Sequence, residues 1–104
     1  MNRDIRRDLR PWRDRIDAID QQLAELLNER AACAIEIGKL KRTAALPIYD
    51  PARETEILRR ISAHDGGPLS GAALRRVFER ILDESRSQER AGAPASDTDT
   101  DRRQ

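Results

Sequence analysis

The chain has 104 residues, enough for one domain and not for two, and only 38% of them are hydrophobic while another 38% are charged. Aromatic residues make up 3%, and strand-forming runs of Val, Ile, Tyr and Phe are missing, which argues against a β fold. The 20 basic and 19 acidic residues leave a formal net charge of +1, which argues against a nucleic-acid-binding domain and against binding to an acidic membrane surface.

The first predicted element is a long helix over residues 4–42. Its apolar residues recur at alternating steps of four and three, the spacing of a coiled-coil-like seam. They are Ile5, Leu9, Trp12, Ile16, Ile19, Leu23 and Leu26, and the rhythm continues through Arg30, Cys33, Ile37 and Leu40. Pro11 lies inside this segment, so the part before it is expected to fray or kink. The helix would span about 55 Å, too long for a monomer of this mass unless a partner covers it.

A loop is predicted over residues 43–49, with Pro47 as the residue that breaks the helical pattern. Asp50 and Pro51 then predict a helix start, with Asp50 as the N-cap and Pro51 at the first helical position. This second helix is expected to run from 51 to 64. Its apolar residues are Ile57, Leu58 and Ile61.

The sequence Asp-Gly-Gly-Pro at residues 65–68 predicts the next break, and Ser70 can cap a third helix over 71–90. One face of this helix is apolar, formed by Leu74, Val77, Phe78, Ile81 and Leu82. Residues 91–104 are rich in Gly, Pro, Ala, Ser, Asp and Thr, and we expect a disordered tail there. The folded domain is therefore predicted to cover residues 1–90.

Polar residues interrupt the apolar stripe of each predicted helix. Arg30 and Lys41 lie on the seam side of the first helix, Glu54 begins the stripe of the second, and Ser85 and Glu89 continue the stripe of the third. Burying a charge costs several kcal/mol unless it is paired or satisfied by a ligand. One interpretation is a structural ion-pair network, for example Arg30 with Glu54. The other is a binding site for a small organic dianion that carries a hydroxyl group.

The spacing of two arginines on the first helix predicts a homodimer. Arg13 lies seventeen residues before Arg30, which corresponds to about 25 Å along a helix. The two side chains could therefore contact one small ligand only if Arg13 came from a second copy of the chain.

Cys33 is the single cysteine, which excludes an intramolecular disulfide, and with one histidine a protein-only transition-metal site is not expected. The N-terminal residues are charged and no apolar run of signal-peptide or membrane-span length follows. The cytoplasm is therefore the expected compartment, and no membrane partner is expected.

Five segments of the sequence resemble the all-helical chorismate mutases. They are LRPWRDRIDAID at 9–20, LLNER at 26–30, IGKLK at 37–41, PIYDPARE at 47–54 and FERILDES at 78–85. The fourth segment matches the Pro-x-x-Asp-x-x-Arg-Glu motif of that family. Arginine-rich helices are common, so each segment alone is weak, but the ordered set with these spacings is specific. The resemblance covers residues 7–90.

The resemblance implies an all-α fold in which a three-helix protomer with one very long N-terminal helix forms an intertwined homodimer with two active sites. It also implies the rearrangement of chorismate to prephenate in the biosynthesis of phenylalanine and tyrosine. This pericyclic reaction breaks a carbon–oxygen bond while it forms a carbon–carbon bond. It uses no cofactor, metal, nucleophile or base, and is helped by holding the reactive conformer and stabilising charge on the ether oxygen.

Carried over by position, the resemblance implies that Arg30 binds a substrate carboxylate and that Arg13 of the other chain assists. Lys41 would donate to the ether oxygen of the breaking bond, and Glu89 would be the second donor there. Glu89 stands where many family members have Gln. Because a carboxylate has no proton to donate, Glu89 would have to be protonated when it acts.

The remaining implied contacts come from the second and third helices. Asp50 and Glu54 would hold the substrate hydroxyl, Arg53 would support the site, and Ser85 would contact a carboxylate. Three alternatives remain open at this point: an isochorismate pyruvate-lyase of the same fold, a mutase for the amino analogue of chorismate, and a non-enzymatic helical dimerisation or nucleic-acid-binding module. The residue types separate the lyase from a chorismate mutase poorly, whereas Asp50 and Glu54 fit a substrate with a hydroxyl group rather than an amino group.

Overall fold

The computed structural model describes residues 4–91. Over this range the chain forms three helices and no strand: α1 (Ile5–Thr43), α2 (Pro51–Ser62) and α3 (Gly71–Ala91). The predicted all-α fold with one very long first helix is confirmed. Within residues 4–91, the three helices are too short or too polar for any of them to cross a lipid bilayer.

The start of α1 differs from the expectation raised by Pro11. The helix begins at Ile5 and continues through Pro11, so the fraying expected before the proline is not observed. Asp4 explains the stable start, because its carboxylate accepts the Arg6 backbone N–H at 3.1 Å and its carbonyl accepts the Arg7 N–H at 3.1 Å. These bonds satisfy N–H groups that have no acceptor inside the helix.

The end of α1 is closed by two backbone hydrogen bonds. Leu46 N–H donates to the Lys41 carbonyl at 2.7 Å, and Ala45 N–H donates to the Arg42 carbonyl at 3.1 Å. Ala45 has a φ of 57°, the left-handed conformation that such a helix end requires and that glycine usually supplies. The chain therefore turns back directly after α1, which brings the following loop alongside Lys41.

The predicted caps of α2 and α3 are confirmed. Asp50 Oδ1 accepts the Arg53 backbone N–H at 3.1 Å, with Pro51 in the first turn, and Ser70 Oγ accepts the Ala73 N–H at 3.0 Å. The end of α2 comes two residues before the predicted 64. There the His64 N–H donates to the Ile61 carbonyl, which tightens the last turn and stops the helix.

The end of α3 lies one residue beyond the predicted boundary. Ala91, assigned to the tail by the sequence, belongs to this helix. The rest of the predicted tail, 92–104, lies outside the described residues.

The chain divides into two compact units, Met1–Arg30 and Ala31–Gln104. In the first unit, the described residues 4–30 form the first part of α1, and all of them are exposed or half-buried. The large apolar side chains exposed there are Ile5, Trp12, Ile16, Ile19, Leu23, Leu26 and Leu27.

In the second unit, α2 packs against α3. The core consists of Ile57, Leu58 and Leu82, with the half-buried Ile61 and Phe78 packed against it. Val77, which the sequence placed on the apolar face of α3, is instead 52% exposed.

Gly38 sets the distance between the end of α1 and the end of α3. It is buried, and a Cβ atom at this position would lie 2.8 Å from the Glu89 Cα atom. Only glycine allows the two backbones to approach so closely. The close approach places the last turn of α1 against the part of α3 that carries Glu89.

Candidate active site

Lys41 and Glu89 form a partly buried ion pair between α1 and α3. The Lys41 Nζ atom lies 2.7 Å from Glu89 Oε1, and the two side chains are only 16% and 13% exposed. Lys41 Nζ also donates to the Ile48 carbonyl at 2.7 Å. Because an ammonium group has three N–H donors, these contacts fix its position and leave one donor for a further acceptor.

The backbone around this pair is held by a second cation. Arg42 Nη1 donates to the Glu89 carbonyl at 3.3 Å, near the end of α3 where carbonyl groups have no N–H donor inside the helix. Together with the close contact at Gly38, this bond holds the Glu89 backbone against α1. The position of Glu89 relative to Lys41 is therefore set by the backbone as well as by the ion pair.

Glu54 of α2 is bound by Arg86 of α3. Arg86 Nη1 lies 2.6 Å from Glu54 Oε1 and 2.5 Å from Oε2, and the side chains of Arg86 and Glu54 are 23% and 22% exposed. Arg86 also pairs with Asp83 one turn earlier, and its guanidinium carbon lies 5.6 Å from the centre of the Tyr49 ring. The hydrogen bond to Glu54 raises the pKa of Arg86 above its ordinary value.

Two other predicted site residues lie at the start of α2. The Asp50 carboxylate caps the helix, and the guanidinium group of Arg53 pairs with Glu56 on the exposed face. Arg53 is about half-exposed, and its observed ionic partner belongs to α2 itself. The structure thus connects Asp50 and Arg53 through the helix cap.

The remaining predicted site residues lie on α1 and α3. Ser85 is half-buried on α3, one turn before Glu89. Arg13 and Arg30 belong to the first unit, where Arg13 is exposed and Arg30 is half-buried. The structure therefore brings Lys41 together with Glu89, and it pairs Glu54 with a residue that the sequence interpretation did not select.

Arg86 is the residue that the sequence interpretation missed. The structure gives Glu54 the partner Arg86, 32 residues away along the chain. The helical spacing of α3 could have indicated that Arg86 faces inward, because Arg86 lies four residues after the buried Leu82 and eight after Phe78. An arginine that continues the inward face of a helix is the kind of stripe-breaking residue used to select Glu54 and Glu89.

These groups define the chemistry that the second unit can offer. Within residues 4–91 no group of three or more His, Cys, Asp or Glu side chains is arranged to hold a metal ion. The site instead presents a fixed ammonium group and two partly buried carboxylates. The fold and these groups define a small all-helical protein suited to bind a charged organic molecule through hydrogen bonds and ion pairs.

Comparison with known proteins identifies the family. The model of the chorismate mutase type II family matches residues 12–90, so the chain belongs to this family. Among relatives, the bifunctional chorismate mutase/prephenate dehydratase of Neisseria gonorrhoeae is 44% identical over 80 residues, or 77% of this chain. The chain spans only 22% of the length of that relative and of the similarly named proteins from Stutzerimonas stutzeri and Aquifex aeolicus.

Solved structures agree with this assignment. The chorismate mutase of Helicobacter pylori, in complex with prephenate, is 36% identical with a TM-score of 0.74, over 81% of this chain and 91% of that one. A chorismate mutase structure from Thermus thermophilus is 32% identical with a TM-score of 0.77, over 80% of this chain and 94% of that one. The resemblance expected from the five sequence segments is confirmed.

Proposed function

We propose that this chain is a chorismate mutase that converts chorismate to prephenate in aromatic amino acid biosynthesis. The observation that carries the proposal is the likeness to the Helicobacter pylori chorismate mutase in complex with prephenate, which this chain matches over 91% of that protein's length. The cytoplasm remains the compartment in which we expect it to act.

The Lys41–Glu89 pair supports a mechanism in which the ether oxygen of the substrate is stabilised as its bond breaks. Lys41 is held by Ile48 and Glu89 and keeps a third N–H donor for that oxygen. A fixed cation lowers the energy of the developing negative charge without reorganising during the reaction. Glu89 donates to the same oxygen when it is protonated, and its charge opposes the reaction when it is ionised.

The substrate's hydroxyl and carboxylate groups are assigned to the other site residues. Glu54 accepts a hydrogen bond from the hydroxyl group, with Asp50 beside it at the start of α2, while Arg53 supports this end of the helix. One substrate carboxylate is bound by Arg30 and a second contact comes from Ser85. These interactions hold the folded reactive conformer and so lower the entropic part of the barrier.

We further propose that two copies form an intertwined dimer and that Arg13 of each copy completes the site of the other. The exposed apolar stripe of residues 4–30 supports this, because Trp12 is 65% exposed, Ile16 54% and Leu23 51%. An exposed apolar patch of this kind marks a surface that another protein covers. A second α1 helix with the same seam spacing is a complementary partner.

The proposal is tested by incubating the protein separately with chorismate, isochorismate and the amino analogue of chorismate and following each by ultraviolet absorbance. We expect chorismate to be consumed with prephenate as the product. Pyruvate released from isochorismate would instead indicate a lyase, and turnover of the amino analogue alone would indicate a different mutase. Inactivity towards all three, with salt-dependent DNA binding, would indicate a binding module.

A matched pair of lysine variants assigns any activity to the proposed site. Lys41→Ala removes the partly buried ammonium group, whereas Lys39→Ala removes a lysine on the same helix whose ion pair with Glu36 is exposed. We expect loss of activity only in Lys41→Ala. Equal activity in the two variants would show that the reaction does not use the Lys41–Glu89 pair.

A further inference from the structure

The contacts of Arg86 tie three segments of the second unit to one guanidinium group. Its Nη1 atom bridges both oxygens of Glu54 on α2, its Nη2 atom binds Asp83 on α3, and its guanidinium carbon lies over the Tyr49 ring in the loop before α2. Because Asp83 and Tyr49 also contact the arginine, its position does not depend on Glu54 alone. Arg86 is therefore a fixed point from which the Glu54 carboxylate is oriented.

The geometry of this bridge leaves Glu54 able to accept another hydrogen bond. A single nitrogen placed between the two carboxylate oxygens uses one acceptor position on each, and each oxygen has a second. In its ion pair with Arg86, the Glu54 carboxylate accepts hydrogen bonds and does not donate them. A ligand hydroxyl that meets this carboxylate can therefore bind only as a donor.

We propose that Arg86 is a positioning residue that holds Glu54 in the orientation needed to accept the substrate hydroxyl, and so sets the preference of the site for a hydroxyl-bearing substrate. The proposal rests on the role given to Glu54 above. Arg86 itself does not contact the substrate. Its effect on the reaction passes through Glu54, which distinguishes it from a residue that only joins α2 to α3.

A double-mutant cycle separates these two roles. The variants are Arg86→Met, Glu54→Gln and the double variant, and the measured quantity is kcat/KM for chorismate. We expect Arg86→Met to lower kcat/KM about tenfold, the size of one charge-assisted hydrogen bond, mainly through a higher KM. In the Glu54→Gln background the same change should lower it less than about twofold, because the residue through which it acts is already altered.

Two further variants control for charge and for folding. Arg80→Met removes an arginine of α3 whose ion pair with Glu84 is exposed, and we expect it to stay within about twofold of wild type. Arg86→Lys keeps the cation on a single donor nitrogen but cannot bind Glu54 and Asp83 in the same planar geometry, so it should recover part of the loss. If Arg86→Met does not fold, as judged by circular dichroism, the cycle is measured with Arg86→Lys.

The possible results distinguish a positioning role of Arg86 from a purely structural one. If Glu54→Gln lowers kcat/KM but Arg86→Met is equally harmful in both backgrounds, Arg86 acts independently of Glu54 and the inference is wrong. If Glu54→Gln keeps wild-type kcat/KM, the role proposed for Glu54 fails and the inference fails with it. A loss of stability in Arg86→Met with unchanged kcat/KM would show that the arginine is only a structural tie.

Discussion

The two units of the chain use the same kind of apolar pattern with opposite results. In residues 4–30 the regularly spaced apolar side chains of α1 stay largely exposed, whereas in the second unit Ile57, Leu58 and Leu82 are buried. The second unit also contains the partly buried pairs of Lys41 with Glu89 and Arg86 with Glu54. An amphipathic helix therefore indicates that its apolar face must be covered by another element. In the second unit α2 and α3 of the same chain cover each other, whereas the apolar face of residues 4–30 stays exposed.

The largest expected effect comes from placing a charge in the exposed stripe. Leu23→Glu would bury a carboxylate in the proposed dimer interface, so we expect the dimer to dissociate and activity to fall to background. Size-exclusion chromatography with light scattering measures the mass, and Gln21→Glu, which adds the same charge outside the stripe, is the control. A wild-type chain that is folded at 11.8 kDa at micromolar concentration would remove the basis for the dimer.

The next effect concerns the cations proposed to bind the substrate. Arg30→Ala and Lys41→Ala should each lower kcat by more than about a hundredfold, the scale seen when a preorganised charge is removed from a reacting centre. We expect both variants to fold, because neither side chain belongs to the hydrophobic core and both are proposed to contact the substrate. Steady-state kinetics with a parallel urea titration separates the two effects, and near-wild-type turnover in either variant would contradict the assignment.

A smaller effect is expected from a single methyl group at the contact between α1 and α3. Gly38→Ala would place a Cβ atom 2.8 Å from the Glu89 Cα atom, so the two helices must move apart. We expect a loss of about 1–3 kcal/mol in the free energy of unfolding and weaker activity, because Glu89 moves away from Lys41. Gly67→Ala is the control, since nothing lies within 4 Å of its added Cβ atom. Equal stability of the two variants would show that the close approach is not needed.

The mildest change alters only the pH profile. Because only the protonated carboxyl group of Glu89 can donate to the ether oxygen, wild-type kcat/KM should be lower at high pH than at low pH. Glu89→Gln supplies a permanent donor of nearly the same shape, so its profile should be flatter and its activity at pH 8 equal to or above that of wild type. If the two profiles coincide between pH 4 and 9, Glu89 does not face the reacting oxygen.

Local chemistry made most of the fold predictable from the sequence. Asp50 with Pro51 fixed the start of α2, and Ser70 fixed the start of α3, because caps and proline act within one turn. The start of α1 was predicted within one residue, and only the fraying expected before Pro11 was wrong, since the helix is continuous from Ile5 and Asp4 supplies acceptors to its first turn. The ends of the three helices differ from the predicted ends by one or two residues. Such differences are expected because the last turn of a helix is held by weak terminal hydrogen bonds.

The ion pairs of the site were less predictable, because the partner of a long charged side chain depends on how the helices pack. Breaks in the apolar stripes correctly indicated that Lys41, Glu54 and Glu89 are partly buried. They did not indicate which charges pair, and Glu54 meets Arg86 across 32 residues of sequence. In a chain with 20 basic residues, the choice among arginines depends on helix packing, which the spacing along one helix does not contain.

The central claim, that each active site combines Arg13 of one copy with Arg30 and Lys41 of the other, is tested most directly by mixed dimers. Inactive Arg13→Ala and Arg30→Ala chains are unfolded together, refolded and assayed for chorismate consumption. Half of the dimers should be mixed and half of their sites intact, so about a quarter of wild-type activity should return. Mixing Arg30→Ala with Lys41→Ala restores no site and serves as the control. Activity no higher than that of the two parent variants would contradict the shared site.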